Sequence, residues 1–185
     1  MFFNKLFQKR ASRTLSTQLA YERIVAQARR PEFYLAGGVE DSVDGRFDML
    51  VLHVYLLVNR MNQDGEDRAT EFSQGVFDLL FDDMDRSLRE MGVGDLSVGK
   101  KVKKMAQVFY GRAKAYDEAL KRSEEAPGEL EEVIRRNIYA DRSETGEAAM
   151  LAAYVRASAD HLASVDSTVL MSGDLPFPEP GSYVQ

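Results

Sequence analysis

The sequence predicts an all-α fold: a single compact domain of six or seven helices joined by short loops. Apolar residues recur at helical spacing along most of the 185 residues, and no segment alternates convincingly with the period of a strand. Pro31, Gly37-Gly38, Gly65, Gly92, Gly94, Pro127 and Gly173 stand between the periodic runs, where helices end. The chain has no cysteine, so apolar burial must hold it together, and 185 residues suffice for a real core.

The first core helix is expected over 15–29, with Leu15, Leu19, Ile24, Val25 and Ala28 on one stripe and Pro31 just beyond its end. Asp41 or Asp44 caps the second, over 45–62, which is apolar nearly all round and must be central. A third runs over 68–91 through Phe72, Val76, Phe77, Leu80, Phe81, Met84, Leu88 and Met91. Asp95 or Ser97 caps the fourth, which continues to about residue 122. Pro127 suits the first turn of a fifth, through Ile138. A sixth spans 144–169, and Leu175-Pro-Phe-Pro-Glu-Pro180 leaves as an extended tail. The domain organisation is thus a basic amphipathic arm (1–13), an all-helical domain (14–173) and a proline-containing tail (174–185).

Lack of cysteine excludes a disulfide scaffold, a thiol nucleophile, an iron–sulfur cluster and a thiolate zinc site. His53 and His161 have no partner at metal-ligand spacing, so neither a metal nor another cofactor is expected. No nucleophile motif, phosphate-binding glycine loop or dinucleotide fingerprint is present, and no enzyme activity is expected. Asp82-Asp-Met-Asp85 approaches the magnesium motif of helical prenyl-transfer enzymes, but Arg86 stands where the last carboxylate belongs. Pairing of Asp82 and Asp85 with Arg86 and Arg89 is the simpler reading.

Charge is segregated. The net charge is −6, yet residues 1–30 and 100–114 each carry +6, leaving −18 for the rest. Such segregation fits basic patches for anionic partners, or an unevenly charged solvated surface. In MFFNKLFQKRASR the phenylalanines Phe2, Phe3 and Phe7 share a helical face with Leu6, and Lys5, Lys9 and Arg10 are available to headgroups. This is a candidate membrane-surface arm, or else a frayed terminus or a small terminal helix packed on the domain. It lacks the apolar run of a secretory signal.

On the fourth helix Lys100, Lys101, Lys103, Lys104, Arg112 and Lys114 are expected on a face opposite the apolar arc. Tyr110 borders that face and Gly111 leaves its middle bare. Asp and Glu are absent from 96 to 116, whereas solvated helices usually mix signs. Lysines bind phosphate oxygens as point charges without sequence readout, so RNA, anionic lipid or an acidic protein segment would suit them.

Gln27-Ala-Arg-Arg-Pro-Glu-Phe-Tyr34, Asp44-Gly-Arg-Phe47, Asp83-Met-Asp-Arg-Ser-Leu-Arg-Glu-Met-Gly-Val-Gly-Asp95, Gly99-Lys-Lys-Val-Lys-Lys-Met105 and Phe109-Tyr-Gly-Arg112 resemble the ubiquinol–cytochrome c chaperone family. The likeness covers about residues 20–175. It implies a non-enzymatic assembly factor for respiratory complex III that holds nascent or immature cytochrome b. It further implies a ribosome- or membrane-proximal site of action; in mitochondrial members this is near the exit tunnel, with a small partner protein. The expected location is cytoplasmic, peripheral to the inner membrane, rather than the mitochondrial matrix. The alternative reading is a generic helical ribosome- or RNA-binding protein without a membrane-protein client.

Overall fold

Among its described residues the computed structural model has six helices of nine residues or more, two short ones and a final 3-10 turn. It describes residues 2–123, 125–140 and 146–183, with side chains from residue 15 onward. The helices are α1 (Phe2–Ala28), α2 (Pro31–Leu35), α3 (Val43–Gln63), α4 (Asp67–Glu90), α5 (Asp95–Lys121), α6 (Glu129–Asn137), α7 (Glu147–Ala163) and α8 (Ser167–Leu170). The 3-10 turn is Pro180–Ser182, and no strand occurs among the described residues. The side chains of Phe2, Phe3, Lys5, Phe7, Lys9 and Arg10, the expected membrane-surface arm, lie outside the described residues.

Helix α3 is the axis of the fold and packs on α1, α4, α5 and α7. Its sequence requires this: Met49 to Leu57 is buried without a gap, so apolar side chains point in every direction. Leu52 and Leu57 are fully buried, each contributing about 2 kcal/mol by removal from water.

Several local expectations are corrected. On α1 the inward stripe is Ala20, Tyr21, Ile24 and Ala28, while Leu15 and Leu19 are exposed. The cap of α3 is Ser42, whose hydroxyl accepts from Gly45 N at 3.2 Å, rather than Asp41 or Asp44. Gly94 is the cap of α5, and Pro127 precedes α6 instead of opening it. The sixth predicted helix divides into α7 and α8. Arg60 of α3, held by Asp64 at 2.5 Å, donates to the carbonyls of Leu162 and Val165 at 3.0 Å each. A cation there satisfies orphan carbonyls and complements the helix dipole, so a stop costs little. The tail does not leave the domain: Leu175 and Pro180 are buried against it.

Candidate functional site: a methionine-lined groove beside a lysine face

Helices α4 and α5 form an antiparallel hairpin through a tight turn in which Gly92 takes φ 80°. Val93 N donates to Leu88 O at 3.0 Å and Gly92 N to Arg89 O at 2.9 Å, closing the end of α4. Asp95, first in α5, pairs with Arg89, which also holds Asp85 at 2.6 Å. Asp83 accepts from Tyr21 at 2.9 Å and from Arg86 at 2.6 Å. These aspartates are therefore engaged in tying the hairpin together and to α1. Among the described residues no group of acidic or histidine side chains could hold a metal ion.

The hairpin presents Lys100, Lys101, Lys103 and Lys104 to solvent, and none of them pairs with a carboxylate among the described residues. Lys114 is exposed too, with Glu118 at 3.8 Å in a contact too open to neutralise it. Tyr110 is 61% exposed, its ring 5.5 Å from Phe77. Phe77 also meets Phe81 at 4.6 Å and Phe109 at 5.2 Å, so both half-buried phenylalanines pack at the edge of the core.

Arg112 is the exception to the expected face. It turns inward and pairs with Asp48 of α3, a residue only 7% exposed. At 100° per residue Arg112 lies only about 20° outside the apolar arc, close enough for a buried carboxylate to draw it in. Burial pushes the Asp48 carboxyl up to about 6, while the guanidinium beside it opposes that rise.

Next to the lysines is a groove of about 350 Å³. Its apolar walls are Val43, Phe47 and Leu50 from α3, Met84 and Leu88 from α4, Met91 just past the end of α4, and Met105 from α5. Arg29, Arg46, Asp44 and Glu90 form a rim of both signs. Lys101 precedes Met105 by one helical turn, so the cationic face and the groove share an edge of α5. Met91, expected in the core, is 52% exposed, and Val43 is 61% exposed. Unbranched, polarisable methionines adapt to irregular apolar partners, as surfaces that bind diverse helices require. The sequence signal for the groove was the Met84, Leu88, Met91 spacing, which also describes a core stripe.

His53 is fully buried beneath Phe33 and Phe177. Its Nδ1 lies 2.7 Å from Met49 O, an acceptor only, so Nδ1 carries the proton. Nε2 then accepts from the Tyr154 hydroxyl at 2.8 Å. Burial pushes its pKa down to about 4, so the ring is neutral near pH 7. Both nitrogens are engaged, which leaves none to ligate a metal.

The chain is thus an all-helical protein that presents an apolar groove beside a cationic helix face. Residues 35–177 match the family described as ubiquinol-cytochrome C chaperone, and the chain belongs to that family. The crystal structure of the Cbp3 homolog from Brucella abortus superposes with a TM-score of 0.88 at 35% identity, over 99% of each chain. Ubiquinol-cytochrome c reductase complex assembly factor 1 from Mus musculus is 24% identical over 157 residues, 84% of this chain and 52% of that protein. The chain therefore spans about half the length of this curated relative.

Proposed function

We propose that this protein is a non-enzymatic chaperone that binds newly made cytochrome b during assembly of ubiquinol–cytochrome c reductase. Family membership supports the assembly role. The observation that carries a client-binding mechanism is the methionine-lined groove, open at Met91 and Val43. An apolar helix laid there would cover side chains that otherwise face water, with the mixed rim meeting its polar flanks.

Lys100, Lys101, Lys103 and Lys104, with Lys114 and Tyr110 further along, hold the groove near an anionic surface. A membrane rich in anionic lipid is favoured over ribosomal RNA, because Leu96, 93% exposed, lies on the same side of α5. A phosphate backbone offers no place for such a side chain, whereas a headgroup layer does. No helix among the described residues is long and apolar enough to cross a membrane, so the association proposed is peripheral, on the cytoplasmic face. The basic arm at Phe2, Phe3, Lys5, Phe7, Lys9 and Arg10 would add to it, each cation contributing about 1 kcal/mol near an anionic surface. Contacts with the ribosomal exit tunnel and with a small partner subunit belong to the same reading.

Photo-crosslinking in cells from position 91 or 105 tests the client. Cytochrome b should be the principal adduct, and deletion of the gene should lower assembled complex III while sparing other respiratory complexes. Adducts confined to ribosomal proteins, with cytochrome b unchanged in the deletion, would replace this reading with a generic ribosome binder.

A further inference from the structure

The tail after Gly173 crosses the junction of α1, α2, α3 and α7 without regular secondary structure, turning once where Phe177 N donates to Leu175 O at 2.9 Å, before its 3-10 turn. It is held in a manner that reads both its side chains and its backbone. Phe177 lies edge-on to His53, with ring centroids 5.2 Å apart, and Tyr183 meets Tyr154 at 6.0 Å. Leu175 and Pro180 are buried on either side. Gln27 donates from one amide nitrogen to the Tyr154 hydroxyl at 2.9 Å and to the Pro178 carbonyl at 3.1 Å. Tyr154 in turn donates to His53, so a fully satisfied polar relay runs from Met49 O through His53 and Tyr154 to aim an N–H at the tail.

The relay satisfies the buried His53 and Tyr154, and it also leaves one fixed donor, on Gln27, aimed at the tail's backbone. An aromatic floor with one fixed donor for a carbonyl suits a proline-spaced ligand, whose prolines lack N–H groups and whose carbonyls need partners. Pro176, Pro178 and Pro180 alternate with Phe177 and Glu179, and the exposed Glu179 reaches the half-buried Arg30 at 2.5 Å.

We propose that this second groove, formed by Gln27, Arg30, Phe33, His53 and Tyr154, is a binding site for proline-spaced segments of another polypeptide, and that the tail is its resident, displaceable ligand. The site is separate from the methionine-lined groove and stands whether or not that groove holds cytochrome b. A tethered segment faces its groove at an effective concentration of order millimolar, so an external ligand competes only when the tail is weakened or the ligand is abundant.

The test uses the full chain and a fluorescent peptide with the sequence of residues 174–183. Tail substitution by Leu175→Ala and Phe177→Ala together should raise peptide affinity at least tenfold over the unmodified protein. Adding Gln27→Leu should reverse most of that gain, and a scrambled peptide should not bind. A folded double variant that binds the peptide no better than the unmodified chain overturns the proposal. So does an unmodified dimer that dissociates on tail substitution, which would assign the groove to a second copy. Should the variant fail to fold, hydrogen exchange on the unmodified chain decides. Tail amides that exchange by local opening, well before those of α3, support a displaceable ligand; exchange of both only on global unfolding refutes it.

Discussion

Arg112 of α5 is ion-paired with Asp48 of α3, their side chains 19% and 10% exposed, although Arg112 stands in sequence beside lysines that all face water. One helix therefore divides its cations between two tasks: the lysines carry charge outward, and the arginine anchors α5 to the central helix.

Arg112→Ala should destabilise the fold by about 3 kcal/mol, because it strands a desolvated carboxylate. The loss should grow with pH. The Asp48 pKa is already raised to about 6, and without the guanidinium it rises further. A raised carboxyl pKa means that folding favours the protonated form, so stability falls as pH climbs from 3.8 through the folded-state value. Denaturant titration of the variant at pH 5 and pH 8 checks this, and equal losses at both would refute it.

Reversing Lys100, Lys101, Lys103 and Lys104 to Glu should leave the thermal midpoint within about 2 °C, since these side chains are exposed and meet no carboxylate among the described residues. Binding to vesicles containing anionic lipid should nevertheless be lost, and that of the unmodified protein should weaken steeply with salt. Sedimentation of both proteins with vesicles at two ionic strengths measures it. Undiminished binding by the reversed protein would remove the docking face from the mechanism.

Met91→Asp places a charge in the groove wall at a residue already 52% exposed. The fold should tolerate it, while affinity for an apolar helical peptide falls at least tenfold, because burying an unpaired carboxylate is costly. Calorimetric titration and circular dichroism separate the two effects. Loss of helicity together with binding would make Met91 a structural residue.

His53 makes stability fall on acidification. Its folded-state pKa is depressed from 6.5 to about 4, so its full contribution is present above pH 6.5 and is lost as pH drops towards 4. The span is worth roughly 3 kcal/mol. His53→Gln should be less stable at pH 7.5 and should flatten this part of the profile. An unchanged slope between pH 6.5 and 4 would assign the acid sensitivity elsewhere.

Two glycines should respond oppositely to alanine. A Cβ on Gly111 meets nothing within 4 Å, so Gly111→Ala should stabilise α5 by about 0.5–1 kcal/mol. A Cβ on Gly45 would lie 2.0 Å from the Glu40 carbonyl oxygen, which is backbone and has to shift. Gly45→Ala should therefore destabilise by roughly 2 kcal/mol despite alanine's higher helix propensity, as thermal unfolding of both variants would show.

Much of the architecture was legible in the chain itself. Helices α3, α4 and α5 lie within two residues of their predicted bounds, because long amphipathic periods between glycine turns leave few alternatives. The surface lysines followed from the same period, since one helix determines which side chains share a face. Tertiary structure alone decided what depends on meetings between distant segments. Asp48 drew Arg112 inward from 64 residues away, and Arg60 ended α7 from 102 residues away. Met91 became a groove wall rather than core, and Met84 packs on the core with one side lining the groove, because α1, α3 and α5 do not close over them. The tail returned to the domain because Gln27, His53 and Tyr154 assemble a receptor for it, and no local pattern records their convergence. Periodicity reports how a segment divides water from core; it carries no information on which segment arrives to cover it.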